Sequence, residues 1–298
     1  MNSSPHDSPS RHDKTQRFLF EEADIRGEIV RLEDAYRDIL EVHEYAPGVS
    51  RLLGEFLAAA VLLATTLKFN GKLILQAQSN GQLPLLMVEC DSDLNVRAIS
   101  RGAEEATSDQ FAVLLEGGQL AITVDPQQGQ RYQGIVPLAG ESLAHSLDAY
   151  FEQSEQLGTR FWLSAENGCA AGMVLQQMPT QLVPDTQQRS QQWEHAAALA
   201  STLKGEELRT LEGIELVHRL YHEEPLRLFE PRQVKFHCSC SQDRTLNALT
   251  SLPVAEIEEL LEELGSITMD CEFCNQQYRF DRSDLEGILG TDQSKTLH

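Results

Sequence analysis

The sequence predicts an α+β fold in three parts: a large N-terminal domain with helices and a mainly antiparallel sheet, a helical linker, and a small C-terminal domain with four cysteines. Three observations predict it. Strand-like runs follow one another in a row with turn residues between them, which is the pattern of an antiparallel sheet. A helix at 49–67 is apolar around nearly its whole circumference and belongs at the centre of a domain. Four of the six cysteines fall in two short clusters near the C-terminal end, His237-Cys238-Ser239-Cys240 and Cys271-Glu272-Phe273-Cys274.

Residues 1–16 are rich in Ser, Pro and His and lack the apolar centre of a secretory signal, so they read as a disordered tail. The α+β domain is placed at 17–180. Ile25, Val30 and Leu32 mark a short strand, and Asp34 is placed to cap a helix that Ala46-Pro47-Gly48 breaks. The buried helix follows, with Leu52, Leu53, Phe56, Leu57, Ala60, Val61 and Ala64 on all sides. Strand character then recurs at 72–78, 85–89, 96–100, 120–124 and 132–138, punctuated by turns such as Asn80-Gly81. Residues 143–154 return to helical spacing, and 161–163 and 171–177 close the sheet.

Residues 181–232 are predicted as a metastable helical linker. Its first helix, 186–203, has only Trp193, Leu199 and Leu203 as large apolar residues. A second carries a thin stripe of Leu208 and Leu211, interrupted by Gly205 and Gly213. Such helices bury little area and take their order from their neighbours. In the last domain, 233–290, a helix starts at Ser251-Leu252-Pro253 and runs through Ile257, Leu260, Leu261 and Leu264 to a Gly265 stop. Ser283 and Glu286 form a capping-box pattern for a final helix, and 291–298 are a tail. Two short helices make a meagre core, which a structural metal normally has to supplement.

A net charge of −22, with 41% hydrophobic and 23% charged residues, describes a globular chain with no general affinity for nucleic acid or anionic membrane. From Gln233 onward Lys235, Arg244, Arg279, Arg282 and Lys295 stand against twelve acidic residues, the opposite of the balance that phosphate binding needs. The longest uncharged apolar run, 56–67, falls short of the ~20 residues of a bilayer span. A reducing, cytoplasmic setting is therefore expected, where clustered cysteines bind metal or sense redox more often than they form permanent bridges. No G-x-S-x-G, phosphate loop, dinucleotide fingerprint or H-E-x-x-H spacing occurs, and no enzymatic activity is expected.

The chemistry lies in the cysteines. A C-x-C and a C-x-x-C each bring two thiols to one side of an ion, and two such pairs make a closed tetrahedral site that suits Zn²⁺ at about 2.3 Å. Cys238, Cys240, Cys271 and Cys274 are the predicted metal ligands, with His237 a weaker substitute. Cys90 and Cys169 lie in strand-like contexts and read as small buried hydrophobes. The plainest meaning of a four-cysteine site is a staple. The same spacing also gives vicinal dithiols that can close into disulfides once the metal leaves, and spacing leaves all three pairings open.

The sequence resembles the redox-regulated 33 kDa heat-shock chaperone family over about residues 17–289. Phe236-His237-Cys238-Ser239-Cys240-Ser241 with Arg244 and Ala248-Leu249 is similar to its first cysteine cluster, and Cys271-Glu272-Phe273-Cys274 with Tyr278 and Phe280 to its second. Tyr132-Gln133-Gly134-Ile135-Val136-Pro137-Leu138 and Tyr150-Phe151-Glu152-Gln153-Ser154-Glu155-Gln156 look like its first-domain signatures. The resemblance implies a holdase that acts without ATP on unfolding client proteins under oxidative stress. It implies one Zn²⁺ and an idle protein in the reduced state. It further implies zinc release and two disulfides on oxidation, Cys238–Cys240 and Cys271–Cys274, unfolding of the zinc module, disorder of the linker, and an active homodimer whose 17–180 domain binds substrate and dimerises. Two other classes stand beside it. A thiol–disulfide oxidoreductase using Cys271 and Cys274 would lack its usual βαβ context and would reduce insulin, and a zinc-stapled nucleic-acid binder would bind in a steeply salt-dependent way.

Overall fold

Period-two alternation begins at Lys14 and builds two antiparallel sheets where one was expected. The computed structural model describes residues 12–67, 69–154 and 157–289 and divides into two compact units, Met1–His237 and Cys238–His298. The first unit opens with β1 (Lys14–Phe20), β2 (Ile25–Leu32), α1 (Asp34–Leu40) and α2 (Pro47–Thr66). It continues with β3 (Gly71–Gln78), β4 (Leu85–Asp91), β5 (Asn95–Arg101), α3 (Phe111–Leu114), β6 (Gln119–Pro126), β7 (Tyr132–Pro137) and α4 (Leu143–Ser154). After β8 (Thr159–Glu166) and β9 (Cys169–Gln177) come α5 (Thr186–Ala200), α6 (Gly205–Thr210), α7 (Gly213–Tyr221), β10 (Leu226–Leu228), β11 (Arg232–Gln233) and β12 (Lys235–Phe236).

The first sheet has the order β10-β1-β2-β9-β8 with β11 also paired to β1; the second has the order β12-β5-β4-β3-β6-β7. Every pairing is antiparallel except β12 with β5. The expected buried helix, α2, lies between the sheets, with Leu53, Phe56, Leu57, Val61 and Leu62 fully buried. By length and composition it could cross a membrane, but most of it is enclosed by the protein, so it is a core helix. Its approach to β8 is close at Gly54, where an added Cβ would lie 2.5 Å from that of Ala165.

Alternation along β1, β2 and β9 gives the first sheet two apolar faces. Val30, Leu32, Ala170 and Val174 join the α2 core. Phe18, Phe20, Ile25, Ile29, Ala171, Met173 and Leu175 face the other way and are covered by Ala196, Ala200, Leu208, Leu216, Val217, Leu220 and Tyr221 of α5, α6 and α7. The helices expected at 181–232 thus rest on a neighbour, the outer face of the first sheet. Those residues lie inside the first unit, β10 and β11 extend its sheet along β1, and the division falls after His237 rather than at 232. The physical reason is α7. Gly213 starts a new helix instead of weakening one, and its buried stripe of Leu216, Val217, Leu220 and Tyr221 is dense where the stripe of Leu208 and Leu211 is thin.

The N-terminal boundary also moves. Asp13 and Thr15, assigned to a tail, are 3% and 1% exposed, and β1 starts at Lys14. The rest of that tail, 1–11, lies outside the described residues, as do Glu155, Gln156, Gly290 and the tail at 291–298. Asp13, not Asp34, caps α1: its carboxylate accepts the N–H groups of Glu33 (2.6 Å), Asp34 (3.1 Å) and Ala35 (2.9 Å).

Glu55 projects from α2, half-buried beside Arg51; burial pushes its carboxyl up to about 7, against the opposing pull of Arg51. A carboxyl whose folded pKa exceeds its unfolded value binds more protons folded than unfolded between the two. Stability should therefore fall as pH rises from about 4.5 to about 7. Glu55→Gln is expected to abolish this loss, leaving the variant about 1–2 kcal/mol more stable than the parent at pH 8 and no more stable at pH 4.5, after allowance for partial exposure. Urea denaturation at the two pH values checks it, and equal differences at both would refute it.

The second unit contains α8 (Gln242–Leu249), α9 (Val254–Leu264), a hairpin of β13 (Ile267–Asp270) and β14 (Gln277–Phe280), and α10 (Glu286–Leu289). The expected central helix is α9, with Pro253 as its N-cap and Gly265 at φ +73° just past its end. The Ser283/Glu286 box is replaced by Asp281, whose carboxylate accepts the N–H groups of Ser283 (2.8 Å) and Asp284 (3.2 Å). The core is six buried side chains: Leu249, Ile257, Leu261, Ile267, Phe280 and Leu285.

Candidate metal centre

Two local structures bring the thiols together. Cys238-Ser239-Cys240 is an extended bend leading into α8, whose first turn is capped by Ser241 accepting the Arg244 N–H at 3.3 Å. Once α8 forms, the Arg244 guanidinium folds back and donates to the Ser239 carbonyl (2.6 Å) and hydroxyl (2.7 Å), bracing the bend from behind. Cys271 and Cys274 occupy the turn between β13 and β14. There the Cys271 carbonyl accepts the N–H groups of Cys274 (3.2 Å) and Asn275 (2.8 Å), and the Cys271 N–H donates to Gln276 O at 2.9 Å. Asn275 takes the left-handed conformation at φ +54°, which Asn tolerates better than most residues, and so the chain reverses tightly enough to aim both thiols one way.

All four Sγ atoms lie within 4.8 Å of one another. Cys238 and Cys271 are 3.7 Å apart, Cys240 and Cys274 3.5 Å, and none of the four is in a disulfide. Four sulfurs at about 2.3 Å from one ion would be spaced by about 3.8 Å along the edges of the tetrahedron, so the group has the right size for a metal. Burial, and then the neighbouring thiols, push Cys271 and Cys274 above the ordinary thiol range. A divalent cation reverses that balance by making the thiolate the favoured form. With four protein sulfurs there is no open coordination position, so the arrangement can clamp a fold and lend itself to oxidation but does not present a metal-bound water.

The structure thus gathers all four predicted ligands, and His237 is not part of the group. Cys90 is buried in β4, where desolvation raises its thiol, and Cys169 is half-buried at the start of β9 with its sulfur 3.5 Å from the Arg209 carbonyl. Two contributors were not legible as such: the Arg244 brace, and Tyr278, whose hydroxyl donates to Cys240 Sγ at 3.1 Å. The i, i+3 and i, i+5 relations of Arg244 to Ser241 and Ser239 are the signal that points to the brace.

Fold and site together define a two-unit α+β protein whose smaller unit is closed around four thiols fit for one metal ion. The chain belongs to the Hsp33 protein family, whose model matches residues 13–281. It is 53% identical to the 33 kDa chaperonin of Pseudomonas paraeruginosa (strain DSM 24068 / PA7), over 94% of this chain and 95% of that one. To the 33 kDa chaperonin of Azotobacter vinelandii (strain DJ / ATCC BAA-1303) it is 51% identical, with the same coverage. The crystal structure of the 33 kDa chaperonin (heat shock protein 33 homolog) of Thermotoga maritima matches with a TM-score of 0.82 at 21% identity, covering 95% of this chain and all of that one, a likeness of fold. The protein is thus an Hsp33-type chaperonin.

Proposed function

We propose that this chain is a redox-regulated, ATP-independent holdase that binds unfolding proteins under oxidative stress and prevents their aggregation. The observation that carries the reading is the pairing of two features: a small unit closed on four oxidisable thiols, and a first-sheet face of large apolar side chains under a cover of short helices. In the reduced, idle state Cys238, Cys240, Cys271 and Cys274 would hold one Zn²⁺, the borderline-soft, redox-inert ion that an all-sulfur tetrahedron suits. Peroxide would take two electrons from each thiol pair and leave as water, forming Cys238–Cys240 and Cys271–Cys274, the pairing that the family resemblance implies. Once thiolates are consumed the metal has no ligands, and binding free energy that was folding free energy is lost with it.

The unfolded module is continuous in sequence with β12, β11 and the covering helices, so disorder can pass into the cover. Lifting the cover would expose Phe18, Phe20, Ile25, Ile29, Met173 and Leu175, apolar surface of the kind that captures unfolded chains. The active species is taken to be a homodimer in the cytoplasm, with no nucleic-acid or membrane partner and no enzymatic turnover. The charge of −22 favours this role by keeping a client complex in solution.

The test is light scattering from a chemically denatured client, without ATP. The zinc-loaded reduced chain should leave aggregation unchanged. After peroxide at elevated temperature the same chain should suppress it, and reductant should restore aggregation on a fresh challenge. Identical behaviour of the two samples would make the four cysteines a structural staple.

A further inference from the structure

The covering helices are tied to the first sheet by polar contacts of unequal quality. Toward α6 and α7, Arg209 meets Glu166 and Arg31 meets Glu212, but the two carboxylates are 50% and 53% exposed. Toward α5 stands Asp24, in the turn between β1 and β2, with its side chain 2% exposed. Its carboxylate accepts the backbone N–H groups of Gln181 (3.2 Å), Leu182 (2.9 Å) and Val183 (3.2 Å). It also accepts from the Arg189 guanidinium at 2.5 Å, which in turn donates to the Met178 carbonyl at 3.0 Å. The Met178 N–H returns to the Asp24 carbonyl at 2.8 Å. One residue thereby gathers the end of β9, the strap that follows it and the first turns of α5.

We propose that Asp24 is a latch that seats the covering helices on the first sheet, a control point separate from the four thiols. The proposal rests on the holdase reading above and names a regulator of the same surface. Three converging N–H donors need an anion at their focus. Asparagine at this position would offer a single acceptor and turn its own donors toward theirs, and it would leave Arg189, 16% exposed, without a counterion. Burial alone would raise the Asp24 carboxyl, but the three N–H groups and Arg189 together hold it below the usual carboxylate range, so the latch is charged at neutral pH.

Apolar contact is a weaker hold, because the fully buried residues of α5 are Ala196 and Ala200, with Trp193 and Leu199 only half-buried against the same core. Displacing α5 also reaches α7, since the buried Tyr221 hydroxyl donates to the Ala196 carbonyl at 3.1 Å. Asp24 is thus a positioning residue: it touches neither metal nor client surface, yet it seats α5 directly and reaches α7 through the Tyr221–Ala196 contact.

Hydrogen exchange on the reduced, zinc-loaded full chain tests this, with Asp24→Asn, Arg189→Met and the double variant. Asp24→Asn should speed exchange at 181–200 at least tenfold, with zinc content unchanged and β3–β6 protected as before, and should suppress client aggregation without oxidant. Arg189→Met alone should act in the same direction more weakly. In the double variant the uncompensated cation is gone, so exchange should be slower than in Asp24→Asn. Unchanged rates in Asp24→Asn, equal acceleration across 181–200 and β3–β6, or strictly multiplicative effects would overturn the latch. If exchange responds as described and aggregation does not, the latch stands and the holdase reading of this surface fails.

Discussion

Removing the metal from the reduced, metal-loaded chain with a chelator is expected to unfold residues 238–289 outright while α2 and strands β1–β9 of the first unit keep their fold. The second unit has a core of only six buried apolar side chains, which is small for a module of this length. A structural zinc site contributes on the order of 10–16 kcal/mol of folding free energy, as much as the whole net stability of a small domain, so its loss removes the margin. Limited proteolysis and hydrogen exchange should show cleavage and loss of protection in α8, α9, β13 and β14 together, with α2 and strands β1–β9 untouched. Persistent protection of the β13–β14 hairpin after complete metal loss would mean that the thiols decorate a module stable without them.

Leu216→Asp is expected to open the cover without touching the thiols. Leu216 is fully buried against the first sheet, and a carboxylate there has no partner, which costs several kcal/mol. A helix of nine residues cannot absorb that cost, whereas α2 and the strands beneath it do not depend on α7 for their own pairing. The reduced, metal-loaded variant should bind a hydrophobic dye and suppress client aggregation at once. The parent should do so only after oxidation, and an exposed substitution such as Ile214→Asp (62% exposed in the parent) should change neither. A Leu216→Asp chain that exposes the sheet yet leaves aggregation unchanged would separate the apolar face from client capture.

What could be read from residues alone follows the range of the interactions that decide it. Strands β3 to β7 and helices α2 and α4 were legible because alternation, all-round apolarity and turn residues are local. So was the grouping of Cys238, Cys240, Cys271 and Cys274, whose two short spacings announce it. The second sheet was not legible, since alternation says that a strand has a buried side but not which neighbour it pairs with; β1 meets β2 on one edge and β10 and β11 on the other. Helix capping failed for the same reason: Asp13 reaches the start of α1 from 21 residues upstream in place of Asp34 itself. Where the covering helices rest was not legible, because a thin apolar stripe does not say which wide apolar face it meets.

The edge of β1 also sets an order on synthesis. Gln16 in β1 donates to the Phe229 carbonyl beside β10, across 213 positions of chain. On a ribosome, then, the earliest strand waits with one edge bare until almost the whole first unit has been made, and no arrangement of the intervening helices can finish the sheet sooner. The nascent chain therefore carries an open strand edge, and it can be sealed only by residues translated just before Cys238 leaves the exit tunnel.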